Sequence, residues 1–312
     1  MRAFVFPGQG SQAVGMGKDL AAESAAARQV IEEVNDALGE DLGKLMAEGP
    51  ADQLTLTANA QPALMTVSIA AMRMLEREGA VHLADLASHV AGHSLGEYSA
   101  LVAVGTLELA DAARLLRLRG EAMQRAVPVG EGAMAAILGL ELEQVEALVA
   151  EVPEGQVCAI ANDNAPGQVV VSGHEAAVEA LVDAARGQGA RRSMMLQVSA
   201  PFHCALMQPA AETMAEALAE TAFAEPAVPL IANVNAAPTS DPGTIRKQLV
   251  DQVTSRVRWR ETMLSLPPLG VSALVEAGSG KVLSGLAKRT IKDVPAQSLQ
   301  GPDDIRSFLE AL

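Results

Sequence analysis

The stretch Gly92-His93-Ser94-Leu95-Gly96 limits what this chain can fold into more than any other. Residues 87–91 ahead of it read as a short strand and residues 98–104 behind it as the first turns of a helix, so Ser94 sits at a strand-to-helix corner. A Gly-x-Ser-x-Gly corner projects a serine hydroxyl clear of a sheet. Side chains two positions before or after the serine would collide with the incoming strand or the outgoing helix, hence Gly92 and Gly96. The helix that starts there also aims unpaired N–H groups and a positive dipole end at any oxyanion forming beside the serine. Ser94 is therefore the expected nucleophile, and an α/β fold with a parallel sheet is its expected frame.

The chain of 312 residues is long enough for one large α/β unit or two smaller ones. With 49% hydrophobic and 20% charged residues it reads as globular, and with aromatics at only 2% the core must be aliphatic residues and methionine. A net charge of -15 argues against nucleic acid as a partner, since phosphate neutralisation needs a dense basic face. Cys158 and Cys204 are too few and too far apart for a disulfide framework or a zinc site, which fits a reducing cytoplasm. The first apolar run stops at Pro7-Gly8, short of a signal-peptide core, and no run long enough to cross a membrane follows. Neither membrane nor metal enters the expected function.

Residues 3–6 read as a buried parallel strand feeding the loop Gly8-Gln9-Gly10-Ser11-Gln12. Gly8-x-Gly10-x-x-Ala13 loosely matches a dinucleotide fingerprint, but residues 20–38 read as one Ala/Glu-rich helix where that fold needs a second strand ending in an acid. Pro62 is expected to open a helix over 63–78. A helix from Glu108 to Gln124 carries Arg114, Arg117 and Arg119, a solvated face from which only one arginine need turn toward a site. Between 132 and 196 the texture changes to βαββαβ, with strands at 133–138, 157–162, 168–172 and 191–197 and helices at 141–151 and 175–186. The reading is a small ferredoxin-like subdomain, 129–197, inserted into a large α/β-hydrolase-like domain formed by 1–128 and 198–312, with a cleft between them. Later segments give a strand at 228–233, helices at 245–253 and 259–265, a strand at 272–276 and a helix ending at Lys288. Gly280-Lys281 fails as a phosphate loop, because Val275 stands at the first glycine and Val282 at the Ser/Thr.

A serine needs a base, and His89, His93 and His203 are the candidates. His89 belongs to the elbow strand and His93 abuts the serine with its ring turned away, whereas His203 lies on a Pro201-marked loop after a late strand, where parallel sheets gather functional residues. Asp163, Glu175 and Asp183 all fall in the small subdomain, so no acid stands out to orient the imidazole and a backbone carbonyl must do so. The expected machinery is a Ser-His dyad. Cys204, adjacent to His203, is expected to be packed and inert.

Taken together, Gly8-Gln9-Gly10-Ser11-Gln12, Gln61-Pro62-Ala63, Gly92 to Glu97, Arg119-Gly120, Gly132-Ala133-Met134, the 199–203 loop and Glu276 to Leu283 resemble the malonyl-CoA:acyl carrier protein transacylases of type II fatty acid synthesis, in order and at family spacing. The resemblance implies that Ser94 is the nucleophile and His203 the general base and acid. It implies an oxyanion hole from the N–H groups of Gln9 and Leu95, a carboxylate clamp at Arg119, a His203-orienting main-chain carbonyl at Gln252, and a cleft lined by Gln61, Met134 and Asn162. Phe202 departs from the small residue that often precedes the histidine, and it bears on pocket width. Arginine's planar fork suits the free carboxylate of a malonyl group, which acetyl lacks.

The resemblance further implies malonyl-CoA and acyl carrier protein as partners, no cofactor, and a monomer. Lys281, Lys288, Arg289 and Arg191 are candidates for a basic patch that meets the acidic carrier. Three alternatives remain: a serine esterase or thioesterase, which would need an acid near His203 and gain nothing from Arg119; a polyketide acyltransferase with another extender unit; and a non-catalytic interaction module.

Overall fold

The computed structural model describes residues 1–128 and 130–312; Val129, expected as the first residue of the small subdomain, lies outside them. Along the described chain run β1 (Arg2–Phe6), β2 (Ala87–Gly92), β3 (Gly132–Leu138), β4 (Cys158–Ala165), β5 (Gln168–His174), β6 (Arg192–Met195), β7 (Leu230–Ile231), β8 (Pro238–Thr239), β9 (Ala273–Ala277) and β10 (Ala296–Leu299). They form two sheets, one in the order β10-β9-β1-β2-β7-β8 and the other β4-β5-β3-β6.

In the larger sheet β10, β9, β1, β2 and β7 are all parallel, and β8 closes one edge antiparallel. Ala3 to Phe6 are fully buried, as a strand covered by helices on both faces requires. Phe6 pairs with Gly92, so β1 and β2 end side by side, and the loop after Phe6 meets the turn after Gly92. His93 N–H donates to the Phe6 carbonyl at 3.0 Å across that junction.

The smaller sheet is antiparallel throughout, and its order is that of a ferredoxin-like βαββαβ unit. Helices Leu142–Ala150 and Glu175–Gly187 bury Val145, Leu148, Val178 and Leu181 against Ala135, Ile137, Val169 and Val171, alternate residues of β3 and β5, in a core of its own. β4 stitches this sheet to the larger unit. Val257 N–H donates to Ala161 O at 2.8 Å and Asp163 N–H to Val257 O at 3.0 Å, while Arg260 Nε lies 3.0 and 2.9 Å from the two Asp163 carboxylate oxygens. Burial pushes the Asp163 carboxyl upward even with Arg260 beside it, so this pair fixes geometry more than it adds stability.

Several boundaries differ from the sequence reading. The helix expected over 20–38 is two, Lys18–Glu23 and Ala25–Leu38, because Ser24 is extended and its hydroxyl accepts the Ala27 N–H at 3.2 Å as an N-cap. The helix expected to open at Pro62 runs Thr57–Gly79 with the proline inside it. Thr57, Ala60 and Gln61 are buried, so packing carries the first turn past the lost hydrogen bond. The strand expected over 228–233 shrinks to β7 and turns back into β8. β10 and the helix Pro302–Glu310, which packs Phe308 edge-on against Phe4, had no counterpart in the reading. No described helix is long and apolar enough to cross a membrane.

Two glycines test the packing at the sheet's end. A Cβ on Gly92 would lie 1.9 Å from the Gly96 backbone, whereas one on Gly285, inside the helix Val282–Thr290, would meet nothing within 4 Å. Gly92→Ala should cost about 3 kcal/mol or more, and Gly285→Ala should stabilise by about 0.5–1 kcal/mol. Urea unfolding reads both, and an unchanged midpoint for Gly92→Ala would contradict the elbow geometry.

Candidate active site

Ser94 follows β2 with φ 53°, in the left-handed region that a serine enters only when its surroundings over-determine it. They do so here. A Cβ on Gly96 would lie 2.3 Å from the Phe6 carbonyl, so the helix Gly96–Ala103 can start this close to β1 only with glycine at its head. From the far side, Asn233 Oδ1 accepts the Ser94 N–H at 2.7 Å and Asn233 Nδ2 donates to Gly92 O at 2.7 Å.

The 199–204 loop brings His203, itself left-handed at φ 61°, over the elbow. Its Nε2 lies 2.8 Å from Ser94 Oγ and its Nδ1 2.8 Å from the main-chain carbonyl of Gln252. A carbonyl only accepts, so Nδ1 carries the proton and Nε2 presents its lone pair to the serine hydroxyl. Burial, and then the Arg119 cation, push the imidazole down to about 3. A depressed base stays neutral above its pKa, so His203 is ready to take a proton throughout the neutral range. The group at Nδ1 is a carbonyl, with no carboxylate in the place a hydrolase triad would have one.

Arg119 is 1% exposed, and the other three arginines of its helix Leu109–Arg125 are occupied elsewhere, Arg114 with Asp111, Arg117 with Glu40 and Asn59, and Arg125 with Glu121. Its guanidinium donates to Gln61 Oε1 at 2.7 Å, Gln252 Oε1 at 2.7 Å and Ser94 Oγ at 3.2 Å. None of these is a carboxylate, and Nε has no partner among the described residues. Burial pushes its pKa down, with Tyr98 and Glu97 acting the other way. Gln61 passes the line on to Thr57 Oγ1 at 3.1 Å, which donates to Gln9 Oε1 at 2.9 Å.

A cavity of about 280 Å³ opens over these groups, lined by Gln9, Gln61, Ser94, Leu95, Arg119, Met134, Asn162, Phe202 and His203 among others. Ser94, His203, Gln9, Leu95, Arg119, Gln61, Met134 and Asn162 thus meet at one place, with the Gln252 side chain buried behind Arg119, whereas His89 stays on β2 with its Nδ1 3.1 Å from Ser88 Oγ. The N–H groups of Gln9 and Leu95 donate to no protein group among the described residues. Met134, on β3, and Asn162, on β4, come from the smaller sheet, so the cavity lies between the two sheets. His93 points its Nε2 to Asn164 Oδ1 at 2.8 Å with its ring against Trp259. Cys204 is buried, its thiol pushed up by burial and donating to Pro201 O at 3.2 Å.

Three contributors escaped the sequence reading. Asn233 and the Gln252 side chain act through contacts with residues far away in sequence, for which no local pattern exists. Glu97 was visible as part of the elbow motif, but its role was not. It is 1% exposed, accepts from Asn233 N–H at 3.1 Å and from Gln252 Nε2, and is pushed up to about 7 by burial, with its two donors and then Arg119 opposing.

The arrangement holds a hydroxyl with its base, a cavity lined by two residues whose N–H groups have no acceptor among the described residues, and a cation with no carboxylate among its hydrogen-bond partners, which suits transfer of an anionic acyl group. Comparison with known proteins agrees. The sequence model of the acyl transferase domain family matches residues 3–306. The malonyl CoA-acyl carrier protein transacylase of Escherichia coli K12 is 45% identical over 308 residues, covering 99% of this chain and 98% of that one. The crystal structure of acyl-carrier-protein-S-malonyltransferase from Bartonella henselae superposes with a TM-score of 0.97 at 55% identity, covering 99% of this chain and 98% of that one. A structure described as a type II PKS acyl-carrier protein in complex with its malonyl-transacylase gives a TM-score of 0.96 at 42% identity, covering 100% and 99%. The chain belongs to the acyl transferase family and, within it, to the malonyl CoA-acyl carrier protein transacylases.

Proposed function

We propose that this chain transfers the malonyl group of malonyl-CoA to the phosphopantetheine thiol of acyl carrier protein through a malonyl ester on Ser94, supplying fatty acid biosynthesis. The observation that carries the reading is the line from Ser94 Oγ through His203 to the Gln252 carbonyl, set beside a buried Arg119 that no carboxylate neutralises.

His203 Nε2 takes the serine proton as Oγ attacks the thioester carbonyl, and the oxyanion that forms is held by the N–H groups of Gln9 and Leu95. As the C–S bond breaks, His203 returns the proton to the departing CoA sulfur. The carrier thiol then gives its proton to His203 and attacks the ester, and the proton passes back to Ser94 Oγ as the acyl group leaves. Arg119 grips the malonyl carboxylate through both steps, which fixes the reacting carbonyl and favours malonyl over acetyl. Gln61, Met134 and Asn162 shape the cleft. The chemistry calls for no metal or redox cofactor, and a cytoplasmic, monomeric enzyme fits it.

The division into a catalytic domain, 1–128 with 198–312, and a small subdomain, 129–197, gives the cleft its two walls. Arg191, Lys281, Lys288 and Arg289 are all exposed. Arg289 donates to Gln168 Oε1 at 2.9 Å, and the segment from Arg191 runs through the exposed Met194 and Met195 to Leu196 in the cavity wall. These cations and methionines form the proposed landing face for the acidic carrier, a local patch within an otherwise negative protein.

Ser94→Ala should abolish the malonyl adduct seen by intact mass after brief exposure to malonyl-CoA, and an adduct mapping to Cys204 or another residue would refute the assignment. Arg119→Ala should cut malonyl transfer by about 10- to 100-fold, the worth of a charged hydrogen-bonded grip, while acetyl transfer changes far less. Equal losses on both would contradict the clamp. Apparent affinity for the carrier should weaken as salt rises, and further on Arg191→Glu; an affinity indifferent to salt would remove the proposed landing face.

A further inference from the structure

Glu97 lies in the first turn of the helix Gly96–Ala103, buried, with no arginine or lysine hydrogen-bonded to it. Its Oε1 accepts the Asn233 N–H at 3.1 Å, and its Oε2 accepts a side-chain N–H of Gln252. The same Gln252 nitrogen also donates to the Ser94 carbonyl at 3.0 Å, while Gln252 Oε1 accepts from Arg119 at 2.7 Å. Asn233 in turn accepts the Ser94 N–H. One carboxylate is therefore joined to the elbow by two routes and to the Arg119 guanidinium by one.

The polarity of this line is set at its ends. A guanidinium can only donate and an ionised carboxylate can only accept, so the amide between them must turn its oxygen to Arg119 and its nitrogen to Glu97. A glutamine or a protonated acid at 97 would set a donor against the Asn233 N–H or the Gln252 nitrogen. The Gln252 nitrogen would then keep only the Ser94 carbonyl as its acceptor, and the amide, held at one point fewer, would present its oxygen to Arg119 less firmly, in a buried place where an unmet group is costly.

We propose that Glu97 is a positioning residue for acyl selection: by locking the Gln252 amide it holds the Arg119 guanidinium in the orientation that receives the substrate carboxylate. The inference rests on the reading of Arg119 as the carboxylate clamp and adds the group that aims it. Ionised Glu97 also acts on Arg119 at a distance, favouring its charged form.

A pH signature follows. The charged group acting on Glu97 is Arg119, and Glu97 in turn acts on Tyr98. Tyr98 is pushed up to about 12, and His203, across the Gln252 residue, is pushed down to about 3. His93 is lowered by burial and is turned toward Asn164. Within this cluster the carboxyl that changes charge near neutrality is Glu97, at about 7, ionised above and protonated below. The lock should therefore loosen on acidification.

The test is the steady-state kcat and KM for malonyl-CoA and acetyl-CoA, measured across the neutral range for the parent, Glu97→Gln, Arg119→Ala and the double variant. Glu97→Gln should raise the KM for malonyl-CoA by about tenfold or more, the worth of a misdirected charged hydrogen bond, and change acetyl transfer by less than about threefold. The malonyl-over-acetyl preference of the parent should fall as pH drops through about 7, and that of Glu97→Gln should stay flat. In the Arg119→Ala background, Glu97→Gln should alter the preference no further. Equal losses for both acyl groups, or an undiminished effect without Arg119, would overturn the proposal. Should Glu97→Gln fail to fold, the parent alone carries the test, and a malonyl-over-acetyl preference that stays flat as pH drops through about 7 overturns the proposal. If Arg119→Ala itself leaves the preference intact, the clamp reading falls; if it erodes the preference and Glu97→Gln does not, only the present inference falls.

Discussion

A cation buried against a serine with no carboxylate in contact is the arrangement around which the rest of the site is ordered. Placing a guanidinium where it is 1% exposed is unfavourable unless its N–H groups are met. Here they are met by two neutral amide oxygens, Gln61 and Gln252, and by the serine hydroxyl. Neutral acceptors hold the group in place without cancelling its charge. A direct Glu or Asp partner would have cancelled that charge.

The same cation explains the state of its neighbours. It helps burial hold His203 neutral, and it opposes the burial that pushes Glu97 up to about 7. Glu97 stands one amide away from the guanidinium, across Gln252, and makes no hydrogen bond to it. The positive charge beside Ser94 also favours any oxyanion formed there, adding to the N–H groups at the head of the helix.

Much of this was legible before any coordinates. Gly92 and Gly96 announced a strand and a helix crossing too closely for a side chain, and the contacts a Cβ would make at each position are of that kind. The βαββαβ texture of the small unit was equally plain, because alternation and helical spacing are local properties. What could not be read is what depends on long-range contact. Ser24 divides a helix that propensity alone would continue, and Pro62 sits inside one that propensity alone would begin there, because burial of Thr57 and Gln61 outweighs the local rule. Asn233 holds the elbow from 139 residues away, and the Gln252 side chain reaches Glu97 from 155, with no spacing that would flag either. His203 stood out by its place on a loop after a late strand, but Arg119 could be singled out from its helix only once a whole set of motifs pointed to acyl transfer.

The seam along β4 has a mechanical consequence. Backbone bonds through Val257, the Asp163–Arg260 pair and the His93–Asn164 contact all fasten the smaller sheet to the larger along the same strand. Swinging the two sheets apart would break all three at once, so that flank acts as a fixed wall. The lining segment from Leu196 to Phe202 is tied to the same sheet at its start, where the Leu196 N–H donates to Met134 O at 2.8 Å.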